Sequence, residues 1–212
     1  MNVIASFLTD QSITRYISVM ARPREFDRDA ALTAAIDVFW SKGFAATSTE
    51  DLVQAMNIGR QSFYNAFGDK RQLYLEALET YQRNATSCHL GRLTTPASPL
   101  KGLLDLLVGL IPDDDALRCK GCMGAGSIGE FGITDPELVE MREKMIAVFH
   151  AKVVERIREG QRLGEVDPNV DAEQAAAFIE ITMTGFQLAA RGGAGAQELH
   201  ALAAFAVERL RA

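Results

Sequence analysis

The sequence predicts an all-α chain, and three observations predict it. Apolar residues recur at helical spacing in every periodic segment, and capping residues sit where those segments start and stop. No alternating β-branched run bounded by turns asks for a sheet. The chain has 212 residues, 48% of them hydrophobic, so it has ample material for a buried core and disorder is not the default. That length suits one large domain or a small domain joined to a medium one.

The first periodic segment is "DRDAALTAAIDVFWSKGF", with Asp27 as cap, Leu32, Ala35, Ile36 and Phe39 on one face, and Gly43 as the stop. "TSTEDLVQAM" follows, where Thr47 and Glu50 have capping-box spacing and Leu52, Val53 and Met56 supply an inner face. Asn57 suits the left-handed conformation that ends this helix, and Gly59 caps the next. Asp69, with Gln72 three residues on, opens a fourth helix that carries Leu73, Leu75 and Leu78 toward Cys88. Residues 91–99, "GRLTTPASP", read as a loop, and "LKGLLDLLVGLI" reads as a helix ended by "PDDD". Asp135 and Pro136 then open a long helix that runs to about Gly160. After the turn "VDPNV", two final helices are joined by "GGAG", and no internal repeat is present.

Charge narrows the possible partners. The formal net charge is −6, with eight basic and eight acidic residues over 1–75 and fourteen against twenty over 76–212. An acidic body with a neutral head excludes a general polyanion binder but not a small oriented patch. Three cysteines are too few and odd in number for a disulfide framework, which points to a reducing compartment. No apolar run approaches the roughly 18–20 residues of a membrane span, and the N-terminus lacks the basic region of a secretory signal. A cytoplasmic protein with no membrane partner is expected.

The segment Asn57–Leu78, "NIGRQSFYNAFGDKRQLYLEAL", contains a helix too short to stand alone. Two helices joined by the turn Asn57–Gly59 make a helix-turn-helix. Phe63 and Phe67 share a face and can lock the short helix onto Leu52, Met56 and the first helix. Arg60 with Tyr64, and Gln61 with Asn65, then form outward pairs. Such a helix presents its N-terminal end to the major groove, where amides and guanidinium read base edges. Hydroxyls and Lys70 suit phosphate contacts, which fix register without reading sequence. The candidate DNA-binding residues are Thr47, Ser48, Arg60, Gln61, Ser62, Tyr64, Asn65 and Lys70.

Residues 24–75 resemble the DNA-binding domain of the TetR family of bacterial transcriptional regulators. "ALTAAIDVFWSKGF" is similar to that family's first helix, "TSTEDLVQAMNIGRQSFYNAF" to its helix-turn-helix, and "GDKRQLYLEAL" to the start of its fourth helix. Thr47, Tyr64, Phe67, Lys70 and Leu73 fall on the family's characteristic positions. Gly59 stands where a Ser or Thr cap is usual, Asn57 where Gly is usual, and Ala66 where His or an aromatic is common. The resemblance implies that Tyr64 and Lys70 touch phosphates while the start of the third helix faces the bases. It also implies a homodimer whose two final helices form a four-helix bundle, sitting on a palindromic operator as a repressor released by a small-molecule effector. The expected division is a flexible extension over 1–20, a helix-turn-helix domain over 21–70, and a helical ligand-binding and dimerisation domain over 71–212.

Other motifs point elsewhere. "GAGSIG", residues 124–129, satisfies G-x-G-x-x-G but lacks the preceding strand of a dinucleotide site. A nucleotide-binding helical enzyme using residues 121–132 is the alternative reading; no catalysis, cofactor or metal is expected. Cys119 and Cys122 are spaced as a redox pair or half a metal site, with small packed thiols as the plain reading and an oxidant or electrophile sensor as the sharper one. Arg118 and Lys120 beside them would favour thiolate. Cys122, Met123, Phe131, Phe149, His150, Phe178, Met183 and Phe186 are the candidate lining of an apolar effector cavity, with plain core as the rival reading.

Overall fold

The structure, a computed structural model, describes residues 26–212. The expected flexible extension lies outside them. Ten helices are present among the described residues, and no strand; a single bridge pairs Val166 with Arg211.

Local chemistry explains most of the helix ends. The Asp27 carboxylate accepts from the Asp29 and Ala30 N–H groups and starts α1 (Arg28–Lys42), which stops at Gly43 with a φ of 79°. The capping box of α2 (Thr49–Ala55) differs from expectation: Ser48 and Asp51 form it, not Thr47 and Glu50. The physical reason is that the Thr47 hydroxyl is buried and donates to the Gly43 carbonyl at 2.6 Å, so the next hydroxyl takes the cap. Asn57 adopts the left-handed turn, with a φ of 51°, before α3 (Arg60–Phe67). Asp69 caps α4 (Lys70–Thr94), a 25-residue helix about 38 Å long. It overruns the loop expected from Gly91, because Leu93 is fully buried in the body's core and holds the last turn.

Ser98 caps α5 (Pro99–Val108), and the four-residue α6 (Asp115–Arg118) leads to α7 (Met123–Phe131). Asp135 and Pro136 open the 27-residue α8 (Pro136–Arg162), as their order in sequence implies. Asp171 caps α9 (Ala172–Arg191), and α10 (Ala196–Glu208) closes the chain.

Two apolar clusters organise these helices. The head cluster joins Leu32, Phe39, Leu52, Phe63 and Phe67 to Leu73, Tyr74 and Leu78 of α4, and Met123 of α7 and Leu138 of α8 also belong to it. The body cluster joins Leu93 to α5, α8, α9 and α10 through Leu103, Leu107, Ile157, Ile179 and Ala203. Thus α4 threads both cores. Its crossing with α5 is so close that a Cβ on Gly102 would lie 2.2 Å from the Leu93 carbonyl oxygen.

Polar ties pin head to body as well. Arg71 of α4 forms a double hydrogen bond with Asp135 at 2.6 and 3.1 Å, and this holds the Asp135 carboxyl below its usual range. The Trp40 indole donates to the Gly121 carbonyl at 2.9 Å, and Lys120 pairs with Asp37. Glu130, near the end of α7, accepts the Phe44 and Ala45 N–H groups at 2.9 and 2.8 Å.

Phe63→Ala should lower stability by about 3–5 kcal/mol, the usual cost of emptying a fully buried aromatic site. Urea titration followed by circular dichroism measures it. Gly102→Ala should lower the melting temperature although alanine is the better helix former, because the crossing leaves no room for a methyl group.

Candidate nucleic-acid interface and effector cavity

The two-turn α3 cannot hold itself together; it is positioned by what lies behind it. Phe63 is fully buried and Phe67 nearly so, and Phe26 stands against Phe67 with ring centroids 6.3 Å apart. The opposite flank is exposed. Tyr64 is 50% exposed and its ring meets Phe63 edge-on at 5.2 Å. Gln61 Nε2 donates to Asn65 Oδ1 at 2.9 Å, so the two expected partners form one amide pair that still offers an acceptor and a donor outward. Arg60 pairs with Glu50 at 3.0 Å, an exposed bridge of the kind worth little, which DNA can displace. Gly59 caps α3 without a side chain, so the first-turn N–H groups remain open.

Other candidates have different surroundings. Ser62 lines a shallow groove with Val53, Ile58 and Gly59. The Ser48 hydroxyl is engaged in its capping box. Thr47 is 2% exposed with its hydroxyl used inside, so it shapes the loop and is not set as an exposed phosphate contact. Lys70 donates to the carbonyls of Phe44 and Thr47 at 2.9 and 2.7 Å and lies 4.1 Å from the Phe44 ring centroid. An ammonium has three N–H donors, so one remains for a phosphate.

In the body, α4, α7, α8 and α9 line a partly open cavity of about 220 Å³. α4 contributes Tyr81, Gln82, Thr86 and His89, while Cys122, which caps α7, joins Gly124 and Ala125 of that helix. Arg142, Met145 and Phe149 come from α8, and Glu180, Met183 and Gln187 from α9. Of the residues expected to line an effector cavity, Cys122, Phe149 and Met183 border this one. Five others are corrected. Met123 and Phe131 pack into or against the head cluster, Phe186 is buried in the body core, and Phe178 faces outward, 43% exposed. His150 turns away to bridge Glu173 and Glu180, both at 3.0 Å, and the carboxylates, Glu173 foremost, raise its pKa.

Sequence reasoning missed the polar wall. Its signal was present: Tyr81, Ala85 and His89, and likewise Gln82 and Thr86, recur at helical spacing on α4. Burial holds His89 neutral, its pKa lowered to about 4, and raises the Tyr81 phenol, which lies beside the Cys122 thiol.

The glycine motif is a helix, not a phosphate loop. Residues 124–129 lie within α7, the Gly126 N–H bonds to the Cys122 carbonyl, and a helical turn precedes it, which removes the geometry of the nucleotide-binding alternative. Arg118 is buried among the carbonyls of Pro112, Asp113 and Ala194, and Lys120 is paired with Asp37, so the cations expected to favour thiolate are engaged elsewhere. All three cysteines are free; Cys88 and Cys119 are exposed and Cys122 is half-buried. Among the described residues no group of three or more His, Cys, Asp or Glu is placed to hold a metal, and no helix is long and apolar enough to cross a membrane.

Comparisons with known proteins agree with this geometry. A family model described as bacterial regulatory proteins, tetR family, matches residues 31–77, and one described as tetracyclin repressor-like, C-terminal domain, matches residues 107–209. YezE of Bacillus subtilis, an uncharacterized HTH-type transcriptional regulator, is 35% identical over 126 residues, covering 59% of this chain and 65% of that protein. The HTH-type transcriptional repressor ComR of Escherichia coli is 26% identical over 184 residues, 86% of this chain and 88% of that one. A cysteine-substituted form of the TetR-family regulator CifR, solved with a 26-base-pair operator DNA, superposes with a TM-score of 0.71 at 28% identity, covering 90% of this chain and all of the other. With its helix-turn-helix and its helical body both matched, the chain belongs to the TetR family of bacterial transcriptional regulators.

Proposed function

We propose that this protein is a cytoplasmic homodimeric repressor that binds a palindromic operator and is released by a small effector in the body cavity. The observation that carries the reading is the division of α3 into a buried aromatic face and an outward polar face. Arg60, Gln61 and Asn65 face base edges; Tyr64 and the spare N–H of Lys70 meet phosphates. Operator binding by the CifR relative supports this use of the head.

The dimer would use α9 and α10. Phe178, Ile181 and Leu188 recur along one side of α9, and Leu202 and Phe205 are exposed on α10. A second copy covering them would bury a surface that otherwise faces water, and would set two heads one DNA turn apart, about 34–36 Å.

Release needs a path from cavity to head, and α7 offers one. Its first turns form cavity wall, while Glu130 near its end holds the Phe44 and Ala45 amides of the loop between α1 and α2. An effector acts only through its differential affinity for two arrangements of this connection.

Footprinting of the DNA flanking the gene should reveal a protected inverted repeat; protection of no palindrome would overturn the reading. Gln61→Ala should relax discrimination at one base pair by about 1–3 kcal/mol, whereas Tyr64→Phe should weaken specific and random DNA alike. Equal effects of both on both kinds of DNA would sink the assigned roles. Glu130→Ala should leave operator affinity near normal but blunt effector-driven release, measured by fluorescence anisotropy with and without effector.

A further inference from the structure

One spot on the cavity wall is touched by both a thiol and an amide. A Cβ built on Gly124 would lie 3.4 Å from Gln82 Nε2 and 3.5 Å from Cys122 Sγ. The missing side chain leaves that spot to a ligand. Gln82 is 8% exposed and its carboxamide has no hydrogen-bond partner among the described residues, although it borders the cavity. The carboxamide reaches the cavity surface, so an incoming acceptor takes the place of solvent as its partner. His89 adds a second incomplete group, because its Nδ1 is buried without a partner.

Most of the surrounding wall is apolar. Met145, Phe149 and Met183 supply apolar surface. The full charges on the wall are Arg142, which donates to the Gly132 carbonyl at 3.3 Å, and Glu180, which is bound to His150. Glu180 is thereby engaged, whereas Arg142 is in no ion pair among the described residues and keeps N–H donors for an oxygen of the occupant.

Resting on the reading of the cavity as effector site, we propose that Cys122 captures small neutral α,β-unsaturated carbonyl compounds as a covalent effector. The carbonyl oxygen accepts from Gln82 Nε2, which brings the β-carbon against Sγ. A sulfur lone pair forms the C–S bond, and the C=C π pair shifts toward the oxygen as an enolate. The thiol proton then ends on the α-carbon. The product is a thioether, and no oxidant is consumed. Cys88 and Cys119 are exposed thiols without such a pocket and meet the same reagent only by collision.

The test uses the full chain, 2-cyclohexen-1-one as probe, and peptide mapping by mass spectrometry. Cyclohexenone should add to Cys122 at least about tenfold faster than to Cys88 or Cys119, as expected when a bound reactant is held in position. Iodoacetamide, a small hydrophilic reagent, should label Cys88 and Cys119 first. Gln82→Leu, which removes the donor, should slow the Cys122 adduct about tenfold, the worth of one hydrogen bond. Gly124→Val, which fills the shared spot, should block the adduct while Cys88 still reacts with iodoacetamide. Modification of Cys119 or Cys88 as fast as Cys122, or a Cys122 rate indifferent to both variants, would overturn the proposal. Anisotropy on flanking DNA separates the two levels: an adduct that forms at Cys122 yet leaves DNA binding unchanged overturns the effector reading and leaves the chemistry standing.

Discussion

Burial of two phenyl rings is the constraint on which the rest of this structure depends. An eight-residue helix forms too few internal hydrogen bonds to repay its own ordering, so α3 exists only because Phe63 and Phe67 are inserted into the head core. That anchoring decides which flank remains outside. With a period of 3.6 residues, fixing positions 63 and 67 inward leaves 61, 64 and 65 on the open side, and Arg60 is exposed as the first residue of the helix. Recognition chemistry is therefore a by-product of core packing: the apolar residues position the polar ones.

The head, in turn, is not an independent bead. α4 begins among head residues and ends among body residues, so one continuous helix belongs to both cores. Shorter ties surround it. Arg71 with Asp135, Trp40 with Gly121, and Glu130 with the Phe44 and Ala45 amides all join the DNA-facing half to segments that border the cavity. Each links a charged or aromatic group to a carboxylate or backbone atom at fixed geometry. Packed elements of this sort switch between discrete arrangements and do not stretch.

Glycine at 124 plays a part different from the one its motif suggests. Inside α7 its role is spatial, because a missing side chain opens a buried amide and a thiol to the same small volume. The cavity thereby acquires polar specificity on an otherwise apolar wall. The acidic balance of the body, net −6 over residues 76–212, keeps that half away from DNA while the neutral head approaches it.

The sequence by itself did not determine α6 or the glycine-rich α7, but it determined the other eight of the ten described helices, most of their ends and the inward face of α3. These depend on contacts three or four residues apart, which spacing displays directly: Asp27 and Asp135 as caps, Asn57 in a left-handed turn, Phe63 with Phe67. Tertiary structure decided the rest. Thr47 and Lys70 are spaced like DNA contacts, yet the Gly43 and Phe44 carbonyls claim much of their bonding. The residues around Gly91 read as a loop until Leu93 finds a core to enter. Among eight aromatic, sulfur and histidine candidates, only neighbouring helices could say which three face the cavity and which fill a core or face outward. The physical reason is the same throughout: periodicity reports which side of a helix is apolar, but not which other helix, or which solvent, that side will meet.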